Sequence, residues 1–160
     1  MAARKTKIVH IIGTLGYGGA EVLLLNLLKK LDRSKFDVSV LSLQGGGAMV
    51  DKFRAAGIEV DILKKRFKGD LGIIKKIERY LLGKKPQIVH THLFVADFYG
   101  GTAALMANIP VIISTKHDTL NEGRIRDFLS RKIRKRFTAI VAISGAVRDY
   151  LINEEKVPYD

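Results

Sequence analysis

Short runs of β-branched and aliphatic residues alternate along the chain with longer stretches whose apolar positions recur every three or four residues. Residues 7–12, 37–43, 58–63, 87–91, 111–115 and 138–143 have the length and side-chain type of strands. Between and after them, residues 19–31, 48–56, 70–82, 94–107, 121–137 and 144–153 are long enough for helices, and most carry a 3.6-residue period. A strand followed by a helix six times over needs crossover connections, so the strands should run parallel with right-handed crossovers. The predicted architecture is α/β: a doubly wound parallel sheet of about six strands in three layers, with helices on both faces. Turn and cap residues agree. Gly57 and Gly83 follow helices as C-cap residues, Pro86 precedes a strand, Asn108 and Pro110 close another helix, and Ser144 stands at an N-cap position. No internal repeat or linker interrupts the pattern, and the only low-complexity stretch is Gly45-Gly46-Gly47, so a single domain over residues 1–160 is expected.

Composition supports a folded domain and narrows its partners. A chain of 160 residues buries about 68–70% of its unfolded surface, and 47% hydrophobic with 28% charged residues excludes a disordered or fibrous class. Lys and Arg number 28 against 16 Asp and Glu, a net charge of +12 that favours anionic partners: polyanions, lipid surfaces or phosphorylated substrates. Without cysteine there is no disulfide framework and no thiolate nucleophile. Residues 1–7 lack the apolar core of a signal peptide, and no apolar run approaches the roughly 20 residues that span a bilayer. A cytoplasmic location with at most peripheral membrane contact is expected.

The segment Gly13-Thr14-Leu15-Gly16-Tyr17-Gly18-Gly19 leaves the first strand and opens a helix, where backbone N–H groups and the helix dipole can receive an anion. It is not a dinucleotide fingerprint. Starting G-x-G-x-x-G at Gly13 puts Leu15 at the second glycine, and starting at Gly16 puts Glu21 at the third. Nor is it a P-loop, because Gly19 and Ala20 stand where Lys and Ser or Thr would handle phosphate and magnesium. Glycines that merely allow a tight turn are the structural alternative.

Four segments carry a resemblance. Lys7-Ile8-Val9-His10-Ile11-Ile12, then Gly18-Gly19-Ala20-Glu21, then Pro86-Gln87-Ile88-Val89-His90-Thr91-His92, then Ala139-Ile140-Val141-Ala142-Ile143-Ser144 occur in order with βα spacing. Together they resemble the amino-terminal domain of glycosyltransferase family 4, also called group 1, of the GT-B fold. The third matches that family's D-hydrophobic-hydrophobic-H-x-H strand, with Gln87 where Asp is usual. The resemblance implies a Rossmann-like domain that forms the amino-terminal half of a transferase moving sugar from a nucleotide-sugar donor to an acceptor hydroxyl. It also implies a carboxy-terminal domain with an E-x7-E nucleotide-sugar motif, which these residues do not contain, so the isolated chain is expected to fold without turning over.

A sheet in the order 3-2-1-4-5-6 has its crevice where strands one and four diverge, outside their carboxyl ends. The glycine loop leaves strand one, His92 leaves strand four and His117 leaves strand five, so the three should line one cleft. The resemblance implies His92 as the catalytic residue, contacting the transferred sugar or positioning the acceptor. It places Gly16, Gly18 and Gly19 at the donor diphosphate and acceptor loop, and His117, Asp118 and Glu21 at the acceptor side or cleft. His90, inside the strand, reads as a packed core imidazole. For His117, with Asp118 to orient it, a surface-loop histidine is the alternative. Zinc held by His90, His92 and His117 lacks a fourth protein ligand, and no H-E-x-x-H helix or D-x-D pair is present, so no metal or cofactor is expected. Ser144 lacks the G-x-S-x-G context of a hydrolase nucleophile.

Residues 124–137 place Ile125, Phe128, Leu129 and Ile133 on one helical stripe with cations around it. Arg131, Lys132, Lys135 and Arg136 are the expected membrane-facing set, and Lys64, Lys65, Arg66, Lys68, Lys75, Lys76, Lys84 and Lys85 form a second basic region. Each cation near an anionic surface contributes about 1 kcal/mol, enough for peripheral docking on the inner face of the cell membrane beside a sugar or lipid-linked acceptor. Nucleic acid is a weaker partner, since the stretches lack interleaved aromatic platforms and no RNP, KH or zinc-finger pattern occurs. A stand-alone basic α/β module that binds nucleic acid or an anionic ligand without chemistry is the alternative function.

Overall fold

All six strands lie in one parallel sheet in the order β3-β2-β1-β4-β5-β6, with β1 (Thr6–Ile12), β2 (Phe36–Ser42), β3 (Glu59–Ile62), β4 (Ile88–His92), β5 (Val111–Lys116) and β6 (Ala139–Ala142). The computed structural model describes residues 4–67, 69–119 and 124–158, and at 124–127 the backbone alone. The helices are α1 (Gly19–Lys30), α2 (Val50–Ala55), α3 (Gly72–Lys84), α4 (Leu93–Val95), α5 (Thr102–Met106), α6 (Arg124–Arg134) and α7 (Gly145–Asn153), with a π-helical turn at Ala96–Gly101 between α4 and α5. Alternation along β1 divides the core. Ile8 and Ile12 pack with Leu24, Leu25, Leu28 and Phe53 of α1 and α2, while Val9 and Ile11 pack with Ile73, Ile77 and Leu81 of α3 and Ala103 of α5. Both faces of the sheet are covered, so β1 from Ile8 onward is apolar on both sides apart from His10, whereas β4 turns polar at its carboxyl end with His90, Thr91 and His92. This is the three-layer α/β sandwich expected from the sequence.

Four local features differ from the expectation or sharpen it. The third helix ends later than Gly83, which lies within its last turn, and Lys85 takes the left-handed cap at φ 52°. That last turn is held by Lys84, which pairs with Glu59 at 2.7 Å and Asp61 at 3.2 Å. The helix predicted over 94–107 is three pieces. A π-helical turn accommodates an extra residue and here carries Asp97 into the interior, while a Cβ on Gly101 would stand 2.3 Å from the Phe137 ring. In α6, Leu129 and Ile133 are half-buried but Phe128 is 61% exposed, so it belongs to the outer face rather than the apolar stripe. The start expected at residue 121, the side chain of Ile125 and Lys68 lie outside the described residues. Ser144 caps α7 as expected, its Oγ accepting from the Val147 N–H at 3.3 Å, and Gly57 takes its turn at φ 71°.

Candidate active site

Strand β1 hands the chain to a loop that turns at residues 13–18 and starts α1 at Gly19. The N-cap, Gly18, is extended and has no side chain with which to cap the helix. The N–H groups of the first turn have no acceptor within the helix, and an anion can take that role. Space is present as well: a Cβ on Gly19 would meet nothing within 4 Å. A Cβ on Gly16 would reach only the Thr14 hydroxyl, at 3.6 Å. Glu21 folds back over the loop, so that a Cβ on Gly18 would lie 2.5 Å from its Oε2, and the Thr14 hydroxyl donates to its Oε1 at 3.3 Å. The loop rests on Gly47, where a Cβ would fall 2.2 Å from the Leu15 carbonyl oxygen. The same carbonyl accepts from the Met49 N–H at 3.0 Å. Gly47 is thus a support that its neighbours in a bare glycine run did not reveal.

Across the switch point, alternation along β4 puts His90 and His92 on one sheet face and Thr91 on the other. His10 of β1 is the register partner of His90, and Thr115 of β5 that of His92. The four imidazoles of the chain form one cluster. His10 Nδ1 and His92 Nε2 are 3.1 Å apart, His92 Nδ1 and His117 Nε2 3.2 Å, and His90 Nε2 lies 2.7 Å from the Thr115 hydroxyl. His90 is therefore half-buried in a polar cluster rather than packed in the apolar core, its ring 4.5 Å from that of His92 and 5.0 Å from that of His10. Strand β4 ends at His92, and the next residue, Leu93, adopts φ 67°, a left-handed conformation that costs a non-glycine residue about 1–2 kcal/mol.

Burial lowers the pKa of all four histidines, that of His90 to about 4, and neighbouring imidazoles add to the effect at His10, His90 and His92. At neutral pH the cluster is therefore uncharged. His117 is the outermost member, half-buried, and there the charges of Asp118 and of Glu21 from α1 oppose the effect of burial. Ile12, the last residue of β1 before the glycine loop, is the register partner of His92, so the loop and the histidine cluster leave neighbouring strand ends. Asp118 itself pairs with Lys116 at 3.6 Å and acts on His117 through its charge. His92 is only 2% exposed, with one ring nitrogen engaged by His10 and the other by His117, the more exposed of the two partners.

The opposite face of the same strand ends carries a second buried network that the sequence reading missed. Asp97 accepts from the Thr91 hydroxyl at 2.5 Å, from the Ser114 hydroxyl at 2.8 and 2.9 Å, and from Arg134 at 3.2 Å. Arg134 also pairs with Glu155, which lies 3.8 Å from Lys116. Burial raises the Asp97 pKa, and the Arg134 charge chiefly opposes it. An acid inside the apolar stretch 93–107 was the available signal. Arg134 is consequently withdrawn from the basic surface, and Arg131 is half-buried with its guanidinium donating to the Glu154 carbonyl at 3.3 Å. Lys132, Lys135 and Arg136 remain exposed.

The model of glycosyltransferase family 4 matches residues 17–160. The chain belongs to glycosyltransferase family 4. A putative glycosyltransferase of Bacillus subtilis (strain 168), EpsF, is 22% identical over 122 residues, which cover 74% of this chain and 32% of that relative. HepE of Anabaena, solved in complex with UDP-glucose, superposes with a TM-score of 0.77 at 20% identity over 91% of this chain and 40% of its own. The apo lipopolysaccharide outer core galactosyltransferase WaaB superposes with a TM-score of 0.75 at 17% identity over 96% and 43% respectively. This chain therefore spans about a third to two fifths of the length of these relatives, and its fold is the Rossmann-like α/β domain of GT-B glycosyltransferases.

Proposed function

We propose that this family 4 domain is the amino-terminal, acceptor-side half of an enzyme that transfers a sugar from a nucleotide-sugar donor to an acceptor hydroxyl. The observation that carries the reading is the meeting of two elements at the switch point. The uncapped start of α1, with open space above Gly19, and the histidine cluster at the end of β4 follow strands whose ends pair side by side, Ile12 with His92. A relative of the same fold solved with UDP-glucose supports a nucleotide sugar as the donor. In this reading the backbone N–H groups at Gly18 and Gly19 meet the charge that grows on the departing diphosphate, as preorganised dipoles, and the transfer needs no metal ion. Gly16 lies in the same loop, where a Cβ would reach only the Thr14 hydroxyl. A sugar hydroxyl replaces His117 at Nδ1 of His92, and Glu21, His117 and Asp118 line the acceptor side. The nucleotide is held by a second domain, so the 160-residue chain alone folds without turnover. The enzyme works in the cytoplasm, docked on the inner face of the cell membrane through Lys132, Lys135 and Arg136 beside the exposed ring of Phe128. A stand-alone anion-binding module is not favoured.

Gly19→Val tests the donor side in the two-domain enzyme. The added side chain occupies space empty of protein, so the fold should be unchanged while the donor KM rises roughly tenfold or more, about 1.4 kcal/mol of binding. An unchanged donor KM would place the diphosphate elsewhere.

A further inference from the structure

We propose that His10, His90 and His92 form a binding site for a transition-metal ion of the zinc class. One ring nitrogen from each of the three lies within 4.8 Å of the others. Tetrahedral zinc with Zn–N bonds of about 2.0–2.1 Å needs ligand nitrogens about 3.3 Å apart. His10 Nδ1 and His92 Nε2 already stand at 3.1 Å, so closing the site asks for ring rotations that draw in the remaining nitrogen by about 1.5 Å at most. The ligands sit on adjacent hydrogen-bonded strands, with His10 opposite His90 and His92 two residues along the same face, which fixes their spacing more firmly than loops would.

The electronic state suits an ion. A neutral imidazole is the form that ligates, and each of the three rings offers one nitrogen to the shared position. Outer partners are in place too. His92 can direct its Nδ1–H to His117 and His90 its Nε2–H to the Thr115 hydroxyl, the kind of second contact that orients a ligating histidine. With His92 protonated at Nδ1, the hydrogen bond between His10 Nδ1 and His92 Nε2 is donated by His10, so an ion enters as His10 moves that proton to Nε2, without net loss of a proton. Three imidazoles leave a fourth position for water or a substrate atom, the composition of an exchangeable site rather than a closed structural one. Sugar transfer calls on one imidazole here, whereas the fold gathers three on a single face. Bound metal would also withdraw His92 from the sugar and so inhibit the enzyme, a consequence that rests on the reading of His92 given above.

The test titrates the chain, prepared without a polyhistidine tag, with Zn2+ by calorimetry and with Co2+ by absorption. Histidine side-chain nitrogen shifts are followed by NMR. The expected result is one ion per chain, tetrahedral cobalt bands and shifts at His10, His90 and His92. His10→Gln and His90→Gln should each lower affinity by more than about 10²-fold, beyond the 10–100-fold loss typical of an outer partner, which His117→Gln should show. Absence of saturable uptake of either ion, or affinity unchanged in folded His10→Gln, overturns the site. Should the variants fail to fold, the wild-type shifts decide: movement confined to His117, or none, overturns it equally. If the ion binds at the three histidines yet transfer by the two-domain enzyme persists, the metal site stands and the assignment of His92 to the sugar fails.

Discussion

A buried neutral histidine makes stability depend on pH, and four share one cluster here. In the unfolded chain these side chains bind protons near pH 6.5, whereas folded His90 does so only near 4. Between those values the unfolded state holds more protons, so stability is complete above about pH 6.5 and is lost as pH falls toward 4. The melting temperature is expected to fall across that window, and His90→Gln, which has no proton to gain, should flatten the decline. An equally steep decline in the variant would assign the effect to other groups. Asp32 and Asp70 do not mimic it, because hydrogen bonds lower their pKa from 3.8 and their contribution is lost below the window. At this scale His92 and His117 were legible in the sequence as polar residues at strand ends. His10 was not, because one imidazole inside an apolar strand looks like core, and only the pairing with His90 reveals its company.

Elements rather than residues explain how the end of β4 keeps its position. The Asp97, Arg134 and Glu155 side chains are all 3% exposed or less, and they tie the π-helical turn, α6 and the segment after α7 to the strand ends beneath the histidines. Removing one partner leaves a buried charge without compensation, so Arg134→Ala should cost about 3–5 kcal/mol in denaturant unfolding. Adding Asp97→Asn and Glu155→Gln to Arg134→Met should recover much of that loss. A cost under about 1 kcal/mol for Arg134→Ala would show the network to be as weak as a surface pair. Helix and strand positions were legible because both periods are strong in these residues. The π-helical turn was not: it leaves the apolar composition of 94–107 intact and shows itself only in where Asp97 points. The surplus of cations around α6 likewise concealed that Arg134 is internal, since composition does not distinguish a solvated cation from a paired one.

For the whole molecule, the order of strands sets where the glycine loop and the histidines lie. The alternation of strands and helices predicts a parallel sheet, and the order β3-β2-β1-β4-β5-β6 brings the ends of β1 and β4 side by side, where the glycine loop and the histidines meet. Among the described residues no helix is long and apolar enough to cross a membrane, and docking is proposed instead on the face that carries Phe128, Lys132, Lys135 and Arg136. Vesicle co-sedimentation should show binding to anionic but not neutral lipid, and the binding should weaken as the Debye length shrinks from about 10 Å at 0.1 M salt to about 3 Å at 1 M. It should also be lost when Lys132, Lys135 and Arg136 are changed to Gln. Equal binding to both lipids, or no loss in the variant, would leave these cations as an ordinary solvated face.

The central claim is that sugar transfer takes place at the opening between the α1 loop and His92. The measurement that addresses it most directly follows labelled sugar from a nucleotide-sugar donor into acceptor, using the two-domain enzyme as wild type and as His92→Gln. The side chain of Gln fills much of the buried space and keeps a hydrogen-bond donor, so the fold should survive. The account predicts transfer by the wild type and a fall in kcat of roughly 10²-fold or more in the variant, the scale of a lost positioned catalytic group. Transfer at the wild-type rate by folded His92→Gln, or no transfer by the wild type from any nucleotide sugar, would contradict it.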